Sequence, residues 1–163
     1  MDSPLLLGLR KIKSISDYQF GKEITDILFD DINQIRFERS PNTNKIRYIY
    51  YMDNLLLTLR PTNGFFTLTL YSARKLTDKI DPPKLRVIVL NDISEFIKEG
   101  RNVFCKHVVD IDEDLRPLDE VIVVNQNDEL LGIGKLRIPV SYVKSFSHGI
   151  AVNIRKGIYK SKI

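Results

Sequence analysis

Few residues of this 163-residue chain are suited to covalent or metal chemistry: one cysteine, Cys105, and two histidines, His107 and His148. Cys105 and His107 stand at i and i+2, which puts them on the same side of an extended segment. A structural zinc site takes four nitrogen or sulfur ligands, and a nucleophilic Cys–His pair needs a pocket and a third, orienting group. The expected arrangement is a buried core cysteine beside a surface histidine. Asp110, Asp112, Glu113 and Asp114 look like a calcium loop but lack its glycine and its twelfth-position glutamate, so they read as a solvated acidic loop. Gly132 and Gly134 in LLGIGK lack the third glycine and the following helix of a dinucleotide fingerprint; close packing inside a barrel suits them better. No catalytic residue, metal or cofactor is expected.

The remaining chemistry is electrostatic and aromatic. The net charge is only +4, but the last acidic residue is Glu129, and Lys135, Arg137, Lys144, Arg155, Lys156, Lys160 and Lys162 follow it. Such a segment attracts polyanions through counterion release; a solvated basic face with no partner is the alternative. Tyr48, Tyr50, Tyr51, Phe65 and Phe66 interleave with Arg47 and Arg60. They form either the core face of a sheet or a stacking platform for unpaired bases. Arg10, Lys11 and Lys13 read as a flexible basic arm or an ordinary solvated terminus.

The elements that must position these groups follow from periodicity. Phe20, Ile24, Ile27 and Leu28 make one helical stripe within Asp17–Asp30, which Ser16 or Asp17 would cap. The period then changes to two, giving strands at Ile35–Phe37, Ile46–Tyr50, Leu55–Arg60 and Phe65–Leu70. The turn-rich SPNTN, Met52–Asn54 and PTNG segments separate them, and a short helix begins near Tyr71. Lys79–Lys84, KIDPPK, reads as a stiff connector and domain boundary. Beyond it come a strand at Leu85–Leu90 and a helix from Asp92 to Glu99, with Ile93, Phe96 and Ile97 inward, closed by Gly100. An extended Asn102–Val109, a buried strand Glu120–Asn125 and the tight turn NQND follow. Leu130–Leu136 is a segment broken by its glycines; a helix Val140–Phe146 and a last strand Gly149–Ile154 complete the chain. No apolar run approaches the ~20 residues of a membrane span, the N-terminus has no signal-peptide pattern, and a single cysteine suits a reducing cytoplasm.

Four blocks of the second half, in order, carry a resemblance: GRNVF (100–104), LRPLDEVIVV (115–124), NQNDELLGIGK (125–135) and HGIAVNIRKGI (148–158). Leu85–Tyr159 resembles a PUA domain, a β pseudo-barrel that binds structured RNA. IRYIYYMDNLLLTLRPTNGFFTLTL (46–70) is similar to the small α/β domain that precedes PUA in archaeal archaeosine tRNA-guanine transglycosylase. The expected architecture is an α+β domain over residues 1–80 followed by a mainly-β PUA pseudo-barrel over residues 84–160. Where the family usually has Pro-Gly-Asp this chain has Pro117, Leu118 and Asp119; leucine disfavours positive φ, so a type I turn is expected there.

The resemblance implies that the loop at Gly100, Arg101 and Asn102 faces RNA, joined by Lys106, Lys135, Arg137, Arg155 and Lys156. A glycine lets the backbone approach a phosphate, and Arg and Asn supply hydrogen bonds there. The implied target is the tRNA acceptor stem, read by shape and 2′-hydroxyls. Transglycosylation is implied to need a large barrel with catalytic aspartates and zinc, so the chain is expected to be a non-enzymatic module assisting a separate tRNA-modifying enzyme. The alternatives are a dimerisation or protein-docking module, which would show an apolar patch on the Ile46–Leu70 sheet, and a small hydrolase using Cys105 and His107.

Overall fold

The structure, a computed structural model, describes residues 3–162. Its backbone contacts divide the chain into two compact units that part between Lys79 and Ile80. No described helix is long and apolar enough to cross a membrane.

The first unit opens with helices α1 (Ser3–Phe20) and α2 (Lys22–Leu28). The terminus carrying Arg10, Lys11 and Lys13 is therefore helical rather than a loose arm. Leu9, Ile12, Ser16 and Phe20 of α1 are buried and extend the helical stripe upstream of the expected start. The expected helix over Asp17–Asp30 is divided at Gly21, whose φ is 95°. Ser16 masks the stripe in sequence because it is polar, yet its hydroxyl accepts a 2.7 Å hydrogen bond from Thr25 and is buried with it. Strands β1 (Ile35–Arg39), β2 (Ile46–Tyr51), β3 (Asn54–Leu59) and β4 (Phe66–Leu68) form an antiparallel meander. The β2–β3 hairpin turns on Met52 and Asp53, with φ of 48° and 65°, as a type I′ turn requires. Ile49, Leu57 and Leu68 stand in one cross-strand row, all in the core. Helix α3 (Leu70–Thr77) starts on a reciprocal cap between Thr69 and Ser72.

The second unit holds β5 (Arg86–Val89), α4 (Ser94–Lys98), β6 (Val103–Phe104), β7 (Val108–Ile111), β8 (Glu120–Asn125), β9 (Leu130–Leu136), α5 (Val140–Ser145) and β10 (Ile150–Gly157). Its strands make one six-stranded sheet in the order β6-β10-β9-β8-β5-β7, with only β5–β8 parallel. This nearly closed sheet is the mainly-β barrel expected. All six residues of β8 are buried. Strand β9 is continuous where a break at its glycines was expected: a Cβ on Gly134 would lie 2.1 Å from the Asn153 carbonyl oxygen, so the glycine lets β10 pack close. Arg86 is 1% exposed yet paired: Nε and Nη2 reach the Asp128 carboxylate at 2.7 and 3.1 Å, and Nη2 also donates to the Ile80 carbonyl. That fork ties the start of the unit to the β8–β9 turn.

Three local expectations are corrected. Asn102–Val109 is not one extended segment, since a 3-10 turn at Cys105–His107 separates β6 from β7. Asp92 makes no side-chain cap, and Phe96 is 49% exposed while Ile97 is buried; α4 is too short to hide both. The acidic loop is only partly solvated. Asp112 is buried, accepting from the backbone N–H of Leu85 at 2.8 Å and of Asp114 at 3.0 Å.

Candidate nucleic-acid interface

The loop at Gly100 is built by the end of α4. The Gly100 N–H donates to the Ile97 carbonyl and the Arg101 N–H to the Phe96 carbonyl. Gly100 has φ 102°, which only glycine adopts without strain. The three atoms nearest to a Cβ built there all belong to Lys160, with Nζ at 3.4 Å, so the chain end brings a cation to the glycine. The Arg101 side chain is exposed; its guanidinium lies 5.2 Å from the Phe96 ring centroid and 4.0 Å from Glu99. An exposed aromatic ring with an arginine over it can stack with a base or a sugar edge.

Strand β10 is the axis along which the other expected residues lie. Asn102 uses its Oδ1 to accept the Ile154 N–H at 2.9 Å, fixing the Gly100 loop against β10. Lys135 stands opposite both Asn153 and Glu120 in register. Arg155 grips the Glu120 carboxylate with two hydrogen bonds of 3.0 and 2.6 Å, and Glu120 is 3% exposed. Lys156 is exposed on β10 itself. Arg137 is exposed and bonded through its N–H to the Ala151 carbonyl, near the start of β10. Lys106 is exposed in the 3-10 turn just after Cys105, whose N–H donates to Gly149.

Acidic residues from earlier in the chain answer part of the basic run. Lys144 pairs with Glu113 and Arg155 with Glu120. Lys98 pairs with Glu95 and with Glu129, whose hydrogen bond raises the lysine pKa. Lys106, Arg137, Lys156 and Lys160 have no carboxylate partner among the described residues. Phe96, Tyr159 and the placement of Lys160 beside Gly100 were missed in the sequence. Lys160 was visible only as one charge of the tail, since nothing local says that the tail returns to α4. Tyr159 donates a hydrogen bond to Glu95 and its ring lies 5.7 Å from the Lys98 ammonium.

The other candidates separate. Cys105 is buried, burial pushes its thiol pKa up, and the turn places His107 edge-on to Phe104; a thiol held protonated is a poor nucleophile. Among the described residues no group of three or more His, Cys, Asp or Glu could hold a metal ion. The aromatic set of the first unit is dispersed. Tyr51 and Phe66 lie in the core, Phe65 stacks on Tyr18 at 5.9 Å, and Tyr48 and Tyr50 are half-buried beside Arg47 and Arg36. The large apolar side chains exposed between Ile46 and Leu70 are Met52 and Phe65, which is no contiguous patch.

Residues 10–83 match the family described as the patch-forming domain C2 of tRNA-guanine transglycosylase, and residues 85–158 match the PUA domain. The chain is 41% identical over 152 residues to a tRNA-guanine(15) transglycosylase of Methanobrevibacter smithii, covering 93% of this chain and 23% of that protein. It is 40% identical over 149 residues to the protein of that name from Methanothermobacter thermautotrophicus, covering 91% and 22%. The chain thus spans less than a quarter of the length of these relatives. In fold it is similar to a hypothetical protein of the archaeon Pyrococcus horikoshii, with TM-score 0.74 at 21% identity over 93% of this chain and 90% of that one. A conserved PUA domain protein from Thermoplasma acidophilum gives TM-score 0.60 at 16% identity over 89% of both. The chain thus resembles the C-terminal domains of tRNA-guanine(15) transglycosylase, with similarity to the C2 domain over residues 10–83 and to the PUA domain over residues 85–158.

Proposed function

We propose that the chain binds structured RNA, with tRNA as its target, through the PUA unit, and that it presents that RNA for modification by a separate catalytic protein without itself doing chemistry. The observation that carries this reading is the set of exposed cations around β10. Lys106, Arg137, Lys156 and Lys160 lack carboxylate partners among the described residues, and Arg101 stands over an exposed ring. Gly100 adds a backbone that a phosphate can approach with only a lysine side chain in the way. The PUA match and the tRNA-guanine(15) transglycosylase relatives support tRNA over other polyanions. In this reading Lys135, Asn102 and Arg155 shape the surface. Asn102 pins the loop, and Arg155 is held by the buried Glu120 carboxylate.

The test is a gel-shift titration with total tRNA at low and moderate salt, with double-stranded DNA as control. Salt-sensitive binding that prefers tRNA is the expected result. Equal affinity for DNA would leave only generic polyanion attraction and overturn the reading.

A further inference from the structure

The first unit carries a groove that shares no residue with the RNA surface proposed for the second. It runs between the N-terminal half of α1, at Leu7, Gly8 and Lys11, and the end of the β1–β2 hairpin, at Arg39, Lys45 and Ile46, and holds about 470 Å3. Gly8 explains why it exists. A Cβ there would lie 2.9 Å from the Phe37 ring and 3.3 Å from Ile46 Cδ1, so the helix seats close on the sheet and leaves an open trough above. The floor is aliphatic. Leu7 at its lip is 60% exposed and the neighbouring Leu6 49%. The rim is cationic. Lys11, Arg39 and Lys45 are exposed, and among the described residues no carboxylate lines the groove and none of the three cations has an ion-pair partner. Arg39 donates to the Asn44 carbonyl at 3.0 Å, which holds the hairpin end in place.

We infer that this groove docks a segment of a partner protein that is acidic and carries an aliphatic anchor. The anchor would cover Leu7, and its carboxylates would meet Lys11, Arg39 and Lys45. Charge complementarity chooses the sign of the partner, and the floor chooses its class. RNA bases are recognised by stacking on aromatic or guanidinium planes; among the described residues no aromatic ring lines the groove, and its one guanidinium, that of Arg39, is tied to the Asn44 carbonyl. A phosphate backbone would leave Leu7 in water, whereas an acidic amphipathic segment covers it and meets the cationic rim together. The inference stands apart from the RNA reading, since it uses a different unit and different residues.

The test is an NMR titration of the 15N-labelled full chain with two synthetic peptides of equal length, one alternating Glu and Leu, the other Lys and Leu, and with a poly-uridine oligonucleotide. The Glu–Leu peptide is expected to shift the amides of residues 5–11 and 39–46 with one saturable constant, and the Lys–Leu peptide to leave them in place. Arg39→Glu with Lys45→Glu, and separately Leu7→Asp at an exposed position, should each weaken that binding by about tenfold while tRNA affinity stays unchanged. The inference is overturned if the oligonucleotide shifts these amides in preference to the peptide, if the peptide moves only the second unit or nothing, or if the variants bind it as well as the original chain.

Discussion

Leu118 occupies a position that disfavours a side chain. It is 71% exposed with φ 75°, in a turn closed by the Asp119 N–H donating to Arg116 at 3.1 Å. With Pro117 ahead of it this is type II geometry, not the type I turn that leucine's own preference predicts. The surroundings over-determine the turn: the Leu118 N–H donates to Leu136 at 2.7 Å and the Asp119 carboxylate accepts the Arg116 N–H at 2.8 Å. Left-handed backbone costs a β-carbon residue on the order of 1 kcal/mol. Leu118→Gly is therefore expected to stabilise the second unit by somewhat less than about 1 kcal/mol, because glycine also loses more chain entropy on folding. A thermal melt should show a Tm higher by a few degrees; a lower Tm would mean that the leucine contributes packing that its exposure hides.

Among the elements, the clearest prediction concerns the latch joining the end of α2, strand β2 and helix α3. The Tyr51 hydroxyl donates to Asp30 at 2.5 Å, the Lys75 ammonium reaches Asp30 at 3.0 Å, and the same ammonium lies 3.2 Å from the Tyr51 ring centroid. Burial alone would raise the Asp30 pKa, but the hydrogen bonds from Tyr51 and Lys75 and the nearby Lys75 and Lys79 charges hold it below its ordinary value. The hydrogen bond to Asp30, aided by burial, pushes Tyr51 up to about 12. A depressed carboxylate contributes stability that is present above its unfolded pKa and lost as pH falls through the folded one. A raised phenol contributes stability that is present below its unfolded pKa, 10.0, and lost as pH rises toward 12. Melts of Asp30→Asn across acid and alkaline pH should therefore flatten on both limbs, with neutral stability lower by about 1 kcal/mol, a figure reduced for the exposure of Asp30. Unchanged limbs would show that the latch does not set the pH dependence. The sequence displayed the strands and turns around this latch, because alternation and turn residues are local signals. It did not display α1, whose stripe passes through Ser16, nor the latch, whose members are far apart in the chain.

For the molecule as a whole, the legible part of the site was its chemistry and the illegible part its pairing. Gly100 and Arg101 could be read from a helix end, and the basic tail from the absence of acids after Glu129. Which of those cations stay available depends on carboxylates that folding brings back, Glu113 to Lys144 and Glu120 to Arg155. That distinction yields a graded prediction for tRNA binding. Each cation that meets a phosphate contributes about 0.9 to the slope of log affinity against log salt on a duplex. Arg101→Ala, Arg137→Ala, Lys156→Ala and Lys160→Ala should each lower the slope by roughly that amount if they contact RNA, whereas Lys144→Ala should leave it unchanged. Arg155→Ala separates the two roles. It removes two hydrogen bonds from a carboxylate that is 3% exposed, so it should cost stability, about 2–3 kcal/mol given that the arginine itself is partly solvated, and lower the slope by less than the Arg101, Arg137, Lys156 and Lys160 variants do. A uniform slope across all six variants would put the RNA on another face, and a fall for Lys144→Ala as large as the rest would mean that its pair with Glu113 opens to let RNA in.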